Sequence, residues 1–311
     1  MRNAFIQKLM ELAEHERDLI LLTGDLGFKV LDKFRDKYPK RFFNIGVAEA
    51  NMASIAAGLA LEGKRPFMYS IATFATMRCY EQIRNDICFH KANVKIVSVG
   101  GGYSYGPNGP SHHALTDIAI MRALPEMTVI SPGDPIEAAC ATQAAYHYPG
   151  PVYIRLGRSN EPVIHPKDLK FEVGKGIIVQ EGEDIALIST GNMLETVVSV
   201  SKSLSSLGLS VRVVSLHTVK PLDEQLLKDC FTNFPAIFTI EEHSIIGGLG
   251  SALLEFAVQN DFNHSKLKCI AVPDHTIHET GSHDYLKKIC GLSPEQIVER
   301  IQKTMKELHL C

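Results

Sequence analysis

Short apolar runs of strand length alternate with longer segments of helical periodicity along the first half of the chain. Residues 19–22, 66–70, 94–99, 128–130 and 151–156 are predicted strands, and 48–61, 74–90 and 134–146 are predicted helices between them. The strand runs are apolar throughout rather than alternating, the pattern of strands buried on both faces. Helices between such strands are the crossovers that join parallel neighbours. The segment 159–176 breaks the pattern with Pro162, Pro166, Gly174 and several charges, which is linker composition. Beyond it the alternation restarts, with strands at 185–189, 211–216, 236–240 and 267–272 and helices at 194–207, 223–229, after Gly250 and at 294–308. The expected fold is α/β in two domains, each a mostly parallel sheet with helices on both faces. The expected bounds are 1–160 for the first domain, 161–176 for a linker and 177–311 for the second.

Composition narrows the function. With 311 residues, 45% of them apolar and 22% charged, the chain has material for two ordinary cores. A net charge of −3 without long basic runs gives no electrostatic reason to expect nucleic acid or an anionic membrane as partner. The apolar stretches are strand-sized, so none is expected to cross a bilayer as a helix. The start, Met1-Arg2-Asn3-Ala4-Phe5, lacks a signal-peptide core, and seven cysteines without a C-x-x-C pair point to buried thiols in a reducing compartment. Cytoplasm is the expected location.

In open α/β sheets ligands gather where strands end, and three such loops carry unusual residues. In Phe43-Asn44-Ile45-Gly46-Val47-Ala48-Glu49, a strand turns at Gly46 into an Ala-rich helix with Glu49 in its first turn. An acidic residue there offsets the helix dipole, whatever else it does. In the second loop a spacing of three puts Phe74, Met77 and Tyr80 on one helical face, either as ordinary core or as an apolar wall for a flat ring. The third runs from Gly100 to His113 with five glycines and two prolines and ends in Gly109-Pro110-Ser111-His112-His113. Adjacent histidines point apart, and no Cys or carboxylate accompanies them at ligand spacing, so zinc is not expected.

Taken together, the Gly-x-x-Glu turn, the Thr73-Phe74 pair with Tyr80 six residues on, and the loop ending Gly-Pro-Ser-His resemble the pyrimidine-binding domain of transketolases and deoxyxylulose-phosphate synthases. Thr218-Val219-Lys220-Pro221-Leu222-Asp223, Glu241-Glu242-His243 and Gly247-Gly248-Leu249-Gly250-Ser251-Ala252 are similar to the C-terminal domain of the same superfamily. The resemblance implies thiamine diphosphate as cofactor, with Glu49 as the carboxylate at the aminopyrimidine nitrogen and Phe74, Met77 and Tyr80 as the wall around that ring. It implies that His112 handles substrate hydroxyls or protons, an apt task for imidazole near neutral pH. It also implies that Arg158, assisted by Arg2, grips a sugar phosphate. Asn108, His113 and Arg78 join these as substrate-facing candidates, and Asp25 as a cofactor-facing one.

Departures from the family pattern matter equally. Val99-Gly100-Gly101-Gly102 stands where transketolases carry Thr-His-Asp-Ser, and Asn108 replaces an aspartate. The donor pocket is therefore expected to be changed and roomier, and the absence of an arginine near Gly101 argues against deoxyxylulose-phosphate synthesis. Thr23-Gly24-Asp25-Leu26-Gly27 is not the family's Gly-Asp-Gly metal motif. A partner chain is expected to bring the diphosphate and Mg²⁺ domain, in an assembly of two copies of each. The leading expectation is the C-terminal subunit of a two-carbon ketol transferase acting on sugars or sugar phosphates. Its rivals are the β subunit of a 2-oxo-acid dehydrogenase or a deoxyxylulose-phosphate-synthase-like carboligase, and a silent regulatory homologue.

Overall fold

The computed structural model describes residues 1–158 and 160–308. Twelve strands form two sheets. In chain order they are β1 (Leu19–Thr23), β2 (Phe42–Asn44), β3 (Arg65–Ile71), β4 (Lys95–Val99), β5 (Thr128–Ile130), β6 (Val152–Leu156), β7 (Ile177–Gln180), β8 (Ile185–Ser189), β9 (Val211–Ser215), β10 (Thr218–Lys220), β11 (Ile237–Ser244) and β12 (Leu267–Val272). The first sheet has the order β10-β5-β6-β4-β3-β1-β2 and the second β12-β11-β8-β9-β7. All pairings are parallel except β10 on β5 and β7 on β9, which are antiparallel edges. The two-sheet α/β architecture is the one the apolar pattern predicts.

Strands β1, β4, β6 and β8 are buried along their whole length. That agrees with their unbroken apolar runs and with helices covering both faces. One apolar cluster under the first sheet joins Met52, Ala53, Ala56 and Ala57 of helix Glu49–Leu61 to Met68, Ile96 and Tyr153. Small alanines on that helix let it lie close to the sheet, and this fixes where its first residue, Glu49, meets the strand ends.

Two departures from the sequence pattern bear on the site. The helix expected over 74–90 is broken into Ala72–Met77, a single turn Tyr80–Gln82 and a π-helical stretch Ile83–Cys88. The break falls at Cys79, whose φ of −123° and ψ of 22° are not helical. Strand β10 belongs by sequence to the second half yet pairs with β5 of the first sheet, with Thr218 opposite Ile130. Among the described residues no helix is long and apolar enough to cross a membrane.

Candidate active site at the strand ends

Glu49 opens its helix above the carboxyl ends of β1, β2 and β3. Its carboxylate is 2% exposed, and Gly24, the residue after β1, leaves room for it: a Cβ there would lie 3.4 Å from Glu49 Oε1. The Ser70 hydroxyl donates to Oε1 at 3.3 Å and Arg78 Nη1 donates to Oε2 at 3.2 Å. The Arg78 guanidinium also lies 3.7 Å from the centroid of the Phe74 ring. A flat cation with N–H donors thus already occupies the space between Phe74 and Glu49. A flat, amino-substituted heteroaromatic ring needs the same two features, an apolar face and a buried carboxylate at its edge.

From Phe74 a row of rings leads away. His112 meets Phe74 edge-on with centroids 5.1 Å apart, Tyr105 meets His112 at 6.2 Å, and the Arg158 guanidinium lies over Tyr105 at 5.2 Å. Thr73 donates to the Ser111 carbonyl at 2.8 Å, which ties helix Ala72–Met77 to the end of the glycine loop and so sets His112 beside Phe74. Ser111 Oγ is 2.9 Å from His112 Nδ1. Burial, the neighbouring His113 and the Arg78 charge all hold the His112 pKa below its ordinary value. His112 is therefore a neutral imidazole near pH 7, able to accept a proton.

The glycine loop is held from beneath by buried charges from distant parts of the chain. Gly102 and Ala114 exchange two backbone hydrogen bonds of 3.0 Å and close the loop at its base. Arg155 of β6 donates to Asp117 at 2.7 Å and to the carbonyls of Ala114 and Glu242 at 2.8 and 3.0 Å. Glu242 of β11 accepts from the Tyr103 N–H at 2.9 Å and from Asn192 at 2.6 Å, and lies 2.7 Å from His283 Nε2. Burial pushes the Glu242 pKa up, but His283 and the Tyr103 N–H outweigh it and the net shift is down. The run Glu241-Glu242-His243 inside a buried strand was the available signal, because ionised side chains are rarely placed there without partners.

These contacts explain the three glycines. A Cβ on Gly101 would lie 2.9 Å from the Arg155 guanidinium carbon, and one on Gly102 would lie 2.4 Å from the Glu242 carboxyl carbon. Gly100 has φ of +90°, and a Cβ there would fall 2.1 Å from the Tyr105 ring. The expectation of a roomier pocket is corrected by this contact, since Tyr105 fills the space over Gly100.

Other candidates divide. Arg2 sits at the start of the first helix, beside Met1, whose amino group pairs with Glu161 at 2.6 Å, and the buried Arg2 Nε has no hydrogen-bond partner among the described residues. Asn108 is exposed on the loop, and Asp25 is exposed and exchanges hydrogen bonds with Asn44. Met77 is exposed at the end of its helix. Tyr80 does not join Phe74 on one face: past the break at Cys79 its hydroxyl donates to the Ile120 carbonyl at 2.9 Å. His113 is likewise withdrawn, because its buried ring lies 3.1 Å from the Gly106 carbonyl and packs edge-on against Tyr103. Arg78 stands at Glu49 and Phe74.

The ring row, the buried glutamate and the two α/β sheets describe a family. The transketolase pyrimidine-binding domain matches residues 1–163 and the transketolase C-terminal domain matches residues 174–297, so the chain belongs to the transketolase family. It is 39% identical over 310 residues to a Methanocaldococcus jannaschii protein named as a transketolase C-terminal section, covering 99% of this chain and 96% of that one. It is 32% identical to one of the subunits of the apulose-4-phosphate transketolase of Phocaeicola vulgatus, covering 98% of this chain and 97% of that one. Among solved structures it superposes on a split-gene transketolase, described as an inactive beta4 tetramer, with TM-score 0.89 and 36% identity over 98% of each chain.

Proposed function

We propose that this chain is the C-terminal subunit of a thiamine-diphosphate-dependent transketolase, transferring a two-carbon ketol unit between sugars and active only with a partner subunit. The observation that carries the reading is the buried Glu49 carboxylate, bonded by Ser70 and by Arg78, whose guanidinium lies on the face of Phe74. Bound thiamine diphosphate supplies a nucleophilic carbon that takes up the ketol unit. Glu49 would hold a proton at the pyrimidine ring nitrogen, and Phe74 would give that ring an apolar face. His112, neutral at pH 7, takes a proton from a substrate hydroxyl and returns it. Arg158, assisted by Arg2, would hold the anionic terminus of the sugar.

The partner would bring the diphosphate and Mg²⁺ site, in an assembly of two copies of each subunit. Supporting this, Phe28 (71% exposed), Val47 (69% exposed), Phe43 and Met77 lie in or near the segments that end at Glu49 and Phe74. Large apolar side chains at a surface mark an interaction face. The six described cysteines are all free, which supports a cytoplasmic location. The test is reconstitution with the partner chain, with thiamine diphosphate and Mg²⁺ present. The complex is expected to transfer the ketol unit from a ketose phosphate to an aldose while this chain alone does not. Turnover by the single chain, or none by the complex with any ketose donor, would contradict the reading.

A further inference from the structure

We propose that Arg78 is an internal competitor for the cofactor ring: its guanidinium fills the slot between Phe74 and Glu49 and must swing out before a flat heteroaromatic ring can enter. The inference rests on the proposed transketolase reading and deepens it. Arg78 follows Phe74 by four residues and keeps helical angles, φ −69° and ψ −24°, at the end of helix Ala72–Met77. That spacing carries the long side chain back over the ring of the preceding turn. The guanidinium lies 3.7 Å from the Phe74 centroid, the separation of a stacked contact, so a second flat group cannot share that face with it. The same guanidinium donates to Glu49 Oε2 at 3.2 Å. The face it covers is therefore the one beside the carboxylate. Its planar array of N–H donors also offers Glu49 what the edge of an aminopyrimidine would offer.

The contact is suited to exchange. Arg155 shows what a fixed arginine looks like in this chain: it is buried, and it donates to Asp117 and to the carbonyls of Ala114 and Glu242. The Arg78 side chain is instead 46% exposed, and among the described residues Glu49 is its one hydrogen-bonded partner. A half-solvated guanidinium regains water when it leaves, so giving up this pair costs it little. Glu49, at 2% exposure, has no such recourse and needs a partner at all times. A ring that brings both a flat apolar face and an N–H donor replaces the two contacts of Arg78 together and leaves the carboxylate paired. Competition of this kind lowers the apparent affinity by the fraction of molecules in which the slot is free.

The experiment has two arms. In one, 4-amino-2-methylpyrimidine is titrated into the purified chain and binding is followed by NMR. Arg78→Met is expected to bind this probe about tenfold more tightly than the wild type, the gain that follows if the slot is free in about a tenth of the wild-type molecules. Adding Glu49→Gln to Arg78→Met is expected to abolish the gain, which places the probe at Glu49. Arg78→Lys keeps a charge for Glu49 but no plane for Phe74, and is expected to fall between; it carries the same prediction at smaller size should Arg78→Met fail to fold. In the other arm, thiamine diphosphate with Mg²⁺ is titrated calorimetrically into the reconstituted two-subunit complex, where Arg78→Met is expected to lower Kd by a similar factor. Equal binding in the variant would make Arg78 a bystander and weaker binding would make it a ligand of the bound ring, and either result overturns the proposal. If neither the wild-type nor the variant complex binds thiamine diphosphate, the transketolase reading itself fails; a complex that binds it no more tightly without Arg78 removes only the competition.

Discussion

Glu49 and Glu242 are both carboxylates withdrawn from solvent, yet they are satisfied in different ways. Glu242 is surrounded by the Tyr103 N–H, the Asn192 amide and the His283 ring, all supplied by this chain and all within 3 Å. Glu49 has the Ser70 hydroxyl at 3.3 Å and one nitrogen of Arg78 at 3.2 Å, and the Arg78 side chain is 46% exposed. A carboxylate offers about four acceptor positions, so Glu49 keeps capacity for a further donor where Glu242 keeps little. The contrast separates architecture from chemistry. One buried acid is a finished part of the scaffold that holds the glycine loop, and the other keeps spare acceptor capacity beneath a half-exposed arginine.

The comparison can be broken most severely at Glu49. Glu49→Gln in the reconstituted complex is expected to leave fold and assembly intact but lower turnover by roughly 10² to 10⁴, because the amide cannot supply negative charge at a ring nitrogen. Steady-state kinetics with a ketose phosphate donor check this, and near-normal turnover would return Glu49 to the helix-dipole role.

Glu242→Ala should instead act on stability. It strands the Tyr103 N–H and the Asn192 amide, each worth about 1–3 kcal/mol when left unpaired, so denaturant unfolding should show a loss of about 3 kcal/mol. The pair with His283 also sets a pH dependence. Burial pulls the His283 pKa down, but the Glu242 charge outweighs it and the net shift is up. A raised histidine contributes stability below its unfolded value of about 6.5, and that contribution is lost as pH rises through the folded value. The lowered Glu242 contributes above about 4.3 and its share is lost as pH falls through the folded value. Stability from this pair should therefore peak between those limits. His283→Gln should remove the alkaline decline, and a decline that persists in the variant would assign it to another group.

The smallest expected effect lies on the exposed rim. Phe28→Asp or Val47→Asp should change the stability of the isolated chain by no more than about 0.5 kcal/mol. Association with the partner should weaken by about 1 kcal/mol or more, read as a raised Kd in analytical ultracentrifugation. Unchanged association in both variants would move the partner to another face.

How much of this was legible in the sequence follows from what each feature depends on. Buried parallel strands announce themselves as apolar runs, so β1, β4, β6 and β8 were visible. The edges β7 and β10 were missed, since β10 exists only because it finds β5 across the molecule, whereas β2 was read as the strand that turns at Gly46 although Phe43 and Asn44 are exposed. Glu49, Phe74 and His112 were legible because local motifs carry them. Tyr80 was grouped with Phe74 and Met77 on the assumption of an unbroken helix, which the backbone at Cys79 ends, whereas Met77 does share its helix with Phe74. Tyr105, Arg155 and Glu242 act through residues distant in sequence, and nothing local marks their meeting at Gly100, Gly101 and Gly102.

The central claim is that this chain holds half of a cofactor site. Isothermal titration calorimetry of thiamine diphosphate with Mg²⁺ tests it most directly, first into the purified chain and then into its complex with the partner subunit. The account predicts weak or undetectable binding by the chain alone and tight, magnesium-dependent binding by the complex. Tight, magnesium-dependent binding by the single chain would contradict it.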